Sequence, residues 1–213
     1  YPNFNYNKNL QLEKNINGEL NFSSDGFQKK YNTNVYEGSL VNDLKYISNE
    51  GIIFNGIKSQ LTTLVRNINT NSENSSDYKA NSDHKILGLL KYDLKFPLKK
   101  EDDKSISFLI PLLSARFSPT ETKNMTNNNT RIDYNSIFSI DRIGNNEMVE
   151  GGKSITLGLE YSKKNKINNL DLIELKLANI IRDKKNYDLP NTNSMDEKRS
   201  DIIGQINLYP SKF

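Results

Sequence analysis

The chain has 213 residues and no cysteine, which excludes internal disulfides and thiolate chemistry. It has a single histidine, His84, so any zinc site would have to take its remaining ligands from carboxylates; no metal site and no cofactor are expected. No window approaches the roughly 20 consecutive apolar residues that a membrane-crossing helix requires, a test that a β-barrel escapes. Its 29 basic and 26 acidic residues give a net charge of +3 and contain no basic run, so no nucleic-acid partner is expected. Neither a Gly-x-Ser-x-Gly elbow nor a phosphate-cradling Gly-Lys-Ser/Thr loop is present. The chain is therefore read as no enzyme, with no catalytic residues, and any energy for work must arrive from elsewhere. The opening Tyr1-Pro2-Asn3-Phe4 has neither an initiating Met nor a signal pattern, and reads as an internal piece of something longer.

What is present is alternation. With 35% hydrophobic residues the chain is lean in core material, and asparagine, its commonest residue, clusters at 67–74 and 127–129, which predicts many turns. Period-two patterning marks strands. Leu10 to Phe22 reads as one strand, or two joined near Asn17-Gly18, and a polar break is expected over 23–30. Tyr36 to Tyr46 is the next strand, and Ile53 to Arg66 follows a short break at 49–51. A polar loop is expected over 67–83. His84 to Phe96 alternates most cleanly, a charged turn falls at 99–103, and Ile106 leads to Arg116, where Pro119 should end ladder pairing. A long inserted loop spans 118–152. Ile155, Leu157, Leu159 and Tyr161 then face one way and Ser154, Thr156, Gly158 and Glu160 the other. A basic turn at 163–168 precedes Leu170 to Ile181, with a bulge expected at Leu172-Ile173. A polar loop at 182–199 leads to a last strand ending at Leu208.

Connection lengths alternate between short (49–51, 99–103, 163–168) and long (67–83, 118–152, 182–199). Up-and-down strands with one elaborate end produce this pattern, as do outer-membrane barrels with short periplasmic turns, long outer loops, apolar exteriors and polar interiors. The expected fold is all-β: an antiparallel, up-and-down transmembrane β-barrel, here a partial arc of about eight strands in a single domain over 1–213. A general porin-type barrel and a secreted β-sandwich binding module are the alternatives; a sandwich has no reason to segregate its loop lengths.

The order Arg116-Phe117-Ser118-Pro119, then Asn135-Ser136-Ile137-Phe138-Ser139-Ile140-Asp141-Arg142, then Glu150-Gly151-Gly152 before an alternating strand containing Gly158, resembles the barrel domain of the LPS-assembly protein family, LptD, also called organic solvent tolerance protein. The closing Ser200-Asp201-Ile202-Ile203-Gly204 is similar to a further family stretch. These matches lie in about the second half of the chain. The resemblance implies an arc of a large barrel in the outer membrane of a Gram-negative bacterium, with outer-membrane lipid around it and lipopolysaccharide as cargo. It further implies a plug lipoprotein and a periplasmic bridge protein as partners. The residues it marks, as structural or as part of the lipopolysaccharide path, are Arg116, Pro119, Phe138, Asp141, Arg142, Glu150, Gly151, Gly152, Asp201 and Gly204. The family's periplasmic jellyroll domain, the cysteines of some relatives and the full number of strands have no counterpart in this sequence.

Four charges, Asp141, Arg142, Glu147 and Glu150, either contact a sugar head or form ion pairs that pin the loop inside the lumen. Pinning is favoured, because an unpaired buried charge is costly. Glu101-Asp102-Asp103, flanked by Lys99, Lys100 and Lys104, reads as a solvated turn and His84 as a strand-end residue. Tyr36, Tyr46, Tyr92, Phe96 and Tyr161 stand near strand ends, where interfacial aromatic girdles lie. Phe213 is similar to the terminal aromatic of many outer-membrane barrels, although Pro210 interrupts its strand.

Overall fold

Eleven antiparallel strands build one sheet in the computed structural model, which describes residues 2–12, 16–54 and 56–210. They are β1 (Asn3–Leu10), β2 (Gly18–Lys30), β3 (Tyr36–Ser48), β4 (Gly51–Ile53), β5 (Ile57–Glu73), β6 (Asn81–Lys95), β7 (Leu98–Glu101), β8 (Ser105–Ser118), β9 (Gly152–Asn165), β10 (Asp171–Arg182) and β11 (Ile203–Leu208). Nine follow one another in the order β1-β2-β3-β5-β6-β8-β9-β10-β11, while the short β4 and β7 extend the hairpins of β5 and β8. The count thus exceeds the eight or so expected. The sheet is open: among the described residues β1 pairs only with β2, and β11 only with β10.

Several boundaries fall where the patterning puts them. Ordered pairing in β8 stops at Ser118, one residue before Pro119, the insert occupies 119–151, and the register shifts between Asp171 and Ile173. Two polar stretches do otherwise. Residues 23–30, expected as a break, complete β2, because β3 pairs with it as far as Lys30 and β1 as far as Phe27. Most of the 67–83 loop is also strand: β5 runs to Glu73 and β6 begins at Asn81, leaving 74–80 as the loop. Asparagine is tolerated there because its amides bond across the strands. Asn42 of β3 donates to Asn67 of β5 at 3.3 Å and His84 Nδ1 of β6 lies 2.8 Å from Asn69 Oδ1 of β5, while Asn69 also donates along its own strand to Asn67 at 2.6 Å. Of the stretch read as one strand, or two joined near Asn17-Gly18, Leu10 ends β1, which begins earlier than expected at Asn3, and Gly18 opens β2, with residues 11, 12, 16 and 17 outside either strand. Glu13 and Asn15, placed on that strand's polar side, lie outside the described residues, as does Phe213. Within β8, Pro111 faces the gap between β6 and β7, and its carbonyl accepts the Phe96 N–H at 3.0 Å. Lacking an N–H, a proline fits a ladder at such an interruption.

Register then assigns two faces, because paired residues point the same way. One row reads Leu61, Tyr92, Ala115, Ile155 and Ile181; the next reads Leu94, Leu113 and Leu157. This face is uncovered: Ile86 is 73% exposed, Leu90 and Ile155 44%, and Leu157 45%. Between them on β9, Thr156 is 0% exposed and Ser154 7%. The buried face of the sheet is therefore the one that carries these polar side chains, with Leu64, Leu89, Ala178 and Ile180 interspersed among them.

What buries it is the insert. Ile132, Tyr134, Ile137, Ile143 and Met148 pack against Ala178 and Ile180 of β10, together with Leu189, Met195 and Ile203 from the last connection and strand. A second cluster joins Leu64 and Leu89 to Val149. The core lies between insert and sheet.

Candidate functional site on the polar face

The insert opens its docked part with a turn. Asp133 accepts the Ser136 N–H on its carboxylate at 2.7 Å and the Ile137 N–H on its carbonyl at 3.0 Å. These bonds to Ser136 hold the Asp133 carboxyl below its ordinary range. The turn sends Phe138 against β9, where it also meets the Tyr134 ring edge-on at 5.6 Å. Gly158 makes room for it: a Cβ there would stand 2.5 Å from Phe138 Cζ.

Three arginines on the buried face of the sheet then hold the insert. Arg116 of β8 donates to the carbonyls of Ser139 at 2.9 Å and Ile140 at 2.6 Å. Arg66 of β5 holds Asp43 through two bonds of 2.7 Å and donates to the carbonyls of Met148 at 2.8 Å and Asn145 at 3.3 Å. Its Nη1 also lies 3.8 Å from Asp141. Burial pushes the Asp141 carboxyl up, against the opposing pull of Arg66. Arg182, ending β10, donates to Glu150 and to the Met195 carbonyl.

Glu150 is the junction. Arg142 grips it through Nε at 2.5 Å and Nη2 at 2.6 Å, and reaches Ser154 Oγ at 3.0 Å and Thr156 Oγ1 at 3.2 Å on β9. Burial pulls the Arg142 guanidinium down to about 9, which leaves it charged at neutral pH beside its carboxylate. Glu147 forms a separate tether, accepting from Tyr78 at 2.7 Å, Ser39 at 2.8 Å and Lys123 at 3.2 Å. Burial raises its carboxyl, but these three donors outweigh it and leave the Glu147 pKa low. Gly151 follows, its N–H bonded to Thr122 Oγ1 at 3.0 Å; a Cβ there would lie 2.0 Å from the Thr120 carbonyl.

Of the residues singled out in the sequence, Arg116, Phe138, Asp141, Arg142, Glu150 and Gly151 meet at this interface. Gly152, with φ of +90°, begins β9, and Pro119 is an exposed residue just past β8. Asp201 stands apart, exposed and accepting from Ser194 Oγ at 2.8 Å, and Gly204 points outward from β11, opposite Leu177. Sequence reasoning missed Arg66 and Arg182 as site residues. Their inward position in alternating strands was the available signal.

Beside the insert lies a cavity of about 390 Å³. Its walls include Lys91 with its partner Asp93 at 2.7 Å, Lys176, and Tyr134, whose hydroxyl donates to Glu160 at 2.9 Å. Charges of both signs beside aromatic edges suit a hydroxyl-rich polar guest. No cluster of three metal-ligating side chains occurs among the described residues. Where a charged turn was expected over 99–103, Lys99, Lys100 and Glu101 pair with β8 as part of β7, leaving the turn to 102–104; Glu101 is an exposed ion-pair residue, with Lys99 and Lys166 each 2.8 Å away.

A scan of protein-family models finds no match to this chain, and a search of the curated proteins finds none either.

Proposed function

We propose that the chain is part of the wall of an outer-membrane β-barrel of the LPS-assembly class, working in the translocon that inserts lipopolysaccharide into the outer leaflet. The observation that carries this reading is the contrast of the two faces: one lined by uncovered leucine, isoleucine and aromatics, the other burying serine, threonine and three arginines among its leucines and isoleucines. A sheet with that contrast is at home with acyl chains outside and a polar lumen inside. Its two open edges call for further strands, because unpaired backbone is not tolerated in hydrocarbon. The motif order around Arg116, Arg142, Glu150 and Gly152 points to the assembly protein in preference to a porin. A cargo with a charged sugar head and many acyl chains needs a wet corridor beside a route into lipid, and the polar face with its cavity supplies the first. A plug lipoprotein and a periplasmic bridge protein are its proposed partners.

The deciding experiment depletes the full-length protein and labels lipopolysaccharide on the cell surface. Surface label is expected to fall; unchanged display would overturn the proposal.

A further inference from the structure

At the short-turn end of β7, β8 and β9, the outer face changes character from one row to the next. Leu98, Leu109 and Tyr161 share a row. The neighbouring row, one step nearer the turns, holds Lys100, Ser107 and Lys163. A cavity of about 400 Å³ lies where the rows meet, lined by all six. Its other charged walls are Lys99, which is paired with Glu101 at 2.8 Å, and Asp102. Lys100 approaches Asp102 only to 3.6 Å, and both side chains are more than half exposed. Lys163 forms no ion pair among the described residues. Two ammonium groups and a hydroxyl are thus offered together, with an apolar row on one side.

We propose that this corner binds the headgroup of an anionic phospholipid. Its phosphodiester is held by Lys100, Ser107 and Lys163, and its acyl chains lie along Leu98, Leu109 and Tyr161. The inference rests on the outer-membrane reading of this face. Charge selects the ligand's sign, because lysines near a bilayer surface attract anionic lipid. The apolar row selects a lipid over a free phosphate, since an inorganic anion gains nothing from Leu98 or Leu109.

The test takes the intact protein, purified from membranes in a zwitterionic detergent, and titrates it with phosphatidylglycerol and phosphatidylcholine of identical chains, read by native mass spectrometry. Phosphatidylglycerol is expected to be retained about thirtyfold more strongly, at about fivefold per lysine. The double variant Lys100→Gln/Lys163→Gln should bring that ratio near one, and Lys100→Arg/Lys163→Arg should keep it. Both sites are at the solvent-accessible rim, and an unchanged circular dichroism spectrum verifies folding. Equal retention of both lipids by the unmodified protein overturns the inference and leaves the membrane reading standing. Displacement by millimolar inorganic phosphate makes this a simple anion site and also overturns it. A protein absent from the membrane fraction overturns both.

Discussion

Glu150 stands between two guanidinium groups, with both Arg142 and Arg182 nearly sealed from solvent. Removing one member of a buried ionic group costs about 3–5 kcal/mol, because the remaining charges are left without a partner. Glu150→Gln is therefore expected to loosen the insert, and trypsin should then cleave after Arg142, a bond that the intact protein protects; continued resistance would refute this. Glu147 makes the second residue-scale prediction. Its carboxyl is held below the ordinary value of 4.5 by Tyr78, Ser39 and Lys123, against burial. A carboxyl with a lowered folded pKa contributes stability that is fully present above its unfolded pKa and is lost as pH falls through the folded one. Carbon-13 titration of the Glu147 carboxyl should give a midpoint below 4.5, and Tyr78→Phe should move it upward. A midpoint at or above 4.5 in the unmodified protein contradicts the tether.

At the scale of elements, the alternation of each strand separates two environments one residue apart. Ile155 faces outward from β9, so Ile155→Arg is expected to destabilise the protein in a bilayer by about 2–4 kcal/mol. Gln205 faces the other way on β11, and Gln205→Arg should stay within about 0.5 kcal/mol. Urea unfolding of the full-length protein in vesicles compares the two, and equal costs would contradict the assignment of faces. This parity was legible in the sequence because it needs only the order of apolar and polar residues along a strand. The ends of the insert were legible too, since Pro119 cannot pair and Gly152 takes a positive φ. The second half of β2 and the far end of β5 were not. Their Ser and Asn side chains carry turn signals, and only pairing on both flanks, from residues remote in sequence, makes them strand. Arg66 and Arg182 were hidden for a related reason. Their partners include main-chain carbonyls, which no residue type announces, and Met148 is 82 residues from Arg66.

For the whole molecule, the open edges of β1 and β11 govern behaviour. Among the described residues the strand row ends in unpaired backbone on both sides, so the chain alone is not expected to insert stably in a bilayer. Heat-modifiable migration of the isolated 213-residue chain on a gel would contradict this. The apolar clusters beneath the insert have their own long-range character: they take Leu64 from β5, Leu89 from β6, Ala178 and Ile180 from β10, Leu189 and Met195 from the last connection and Ile203 from β11, so they close only when most of the sheet is in place.

That arrangement fixes an order of events during synthesis and assembly. Arg142 lies only 8 positions before Glu150, whereas Arg182 follows it by 32. Until β10 has zipped onto β9, the carboxylate has a single cationic neighbour and the hydrophobic cluster lacks Ala178 and Ile180. Long-range contacts of this kind form late. The seating of residues 132–150 is therefore expected only after β10 has paired with β9, and a chain stalled before Asp171 should carry that segment loose.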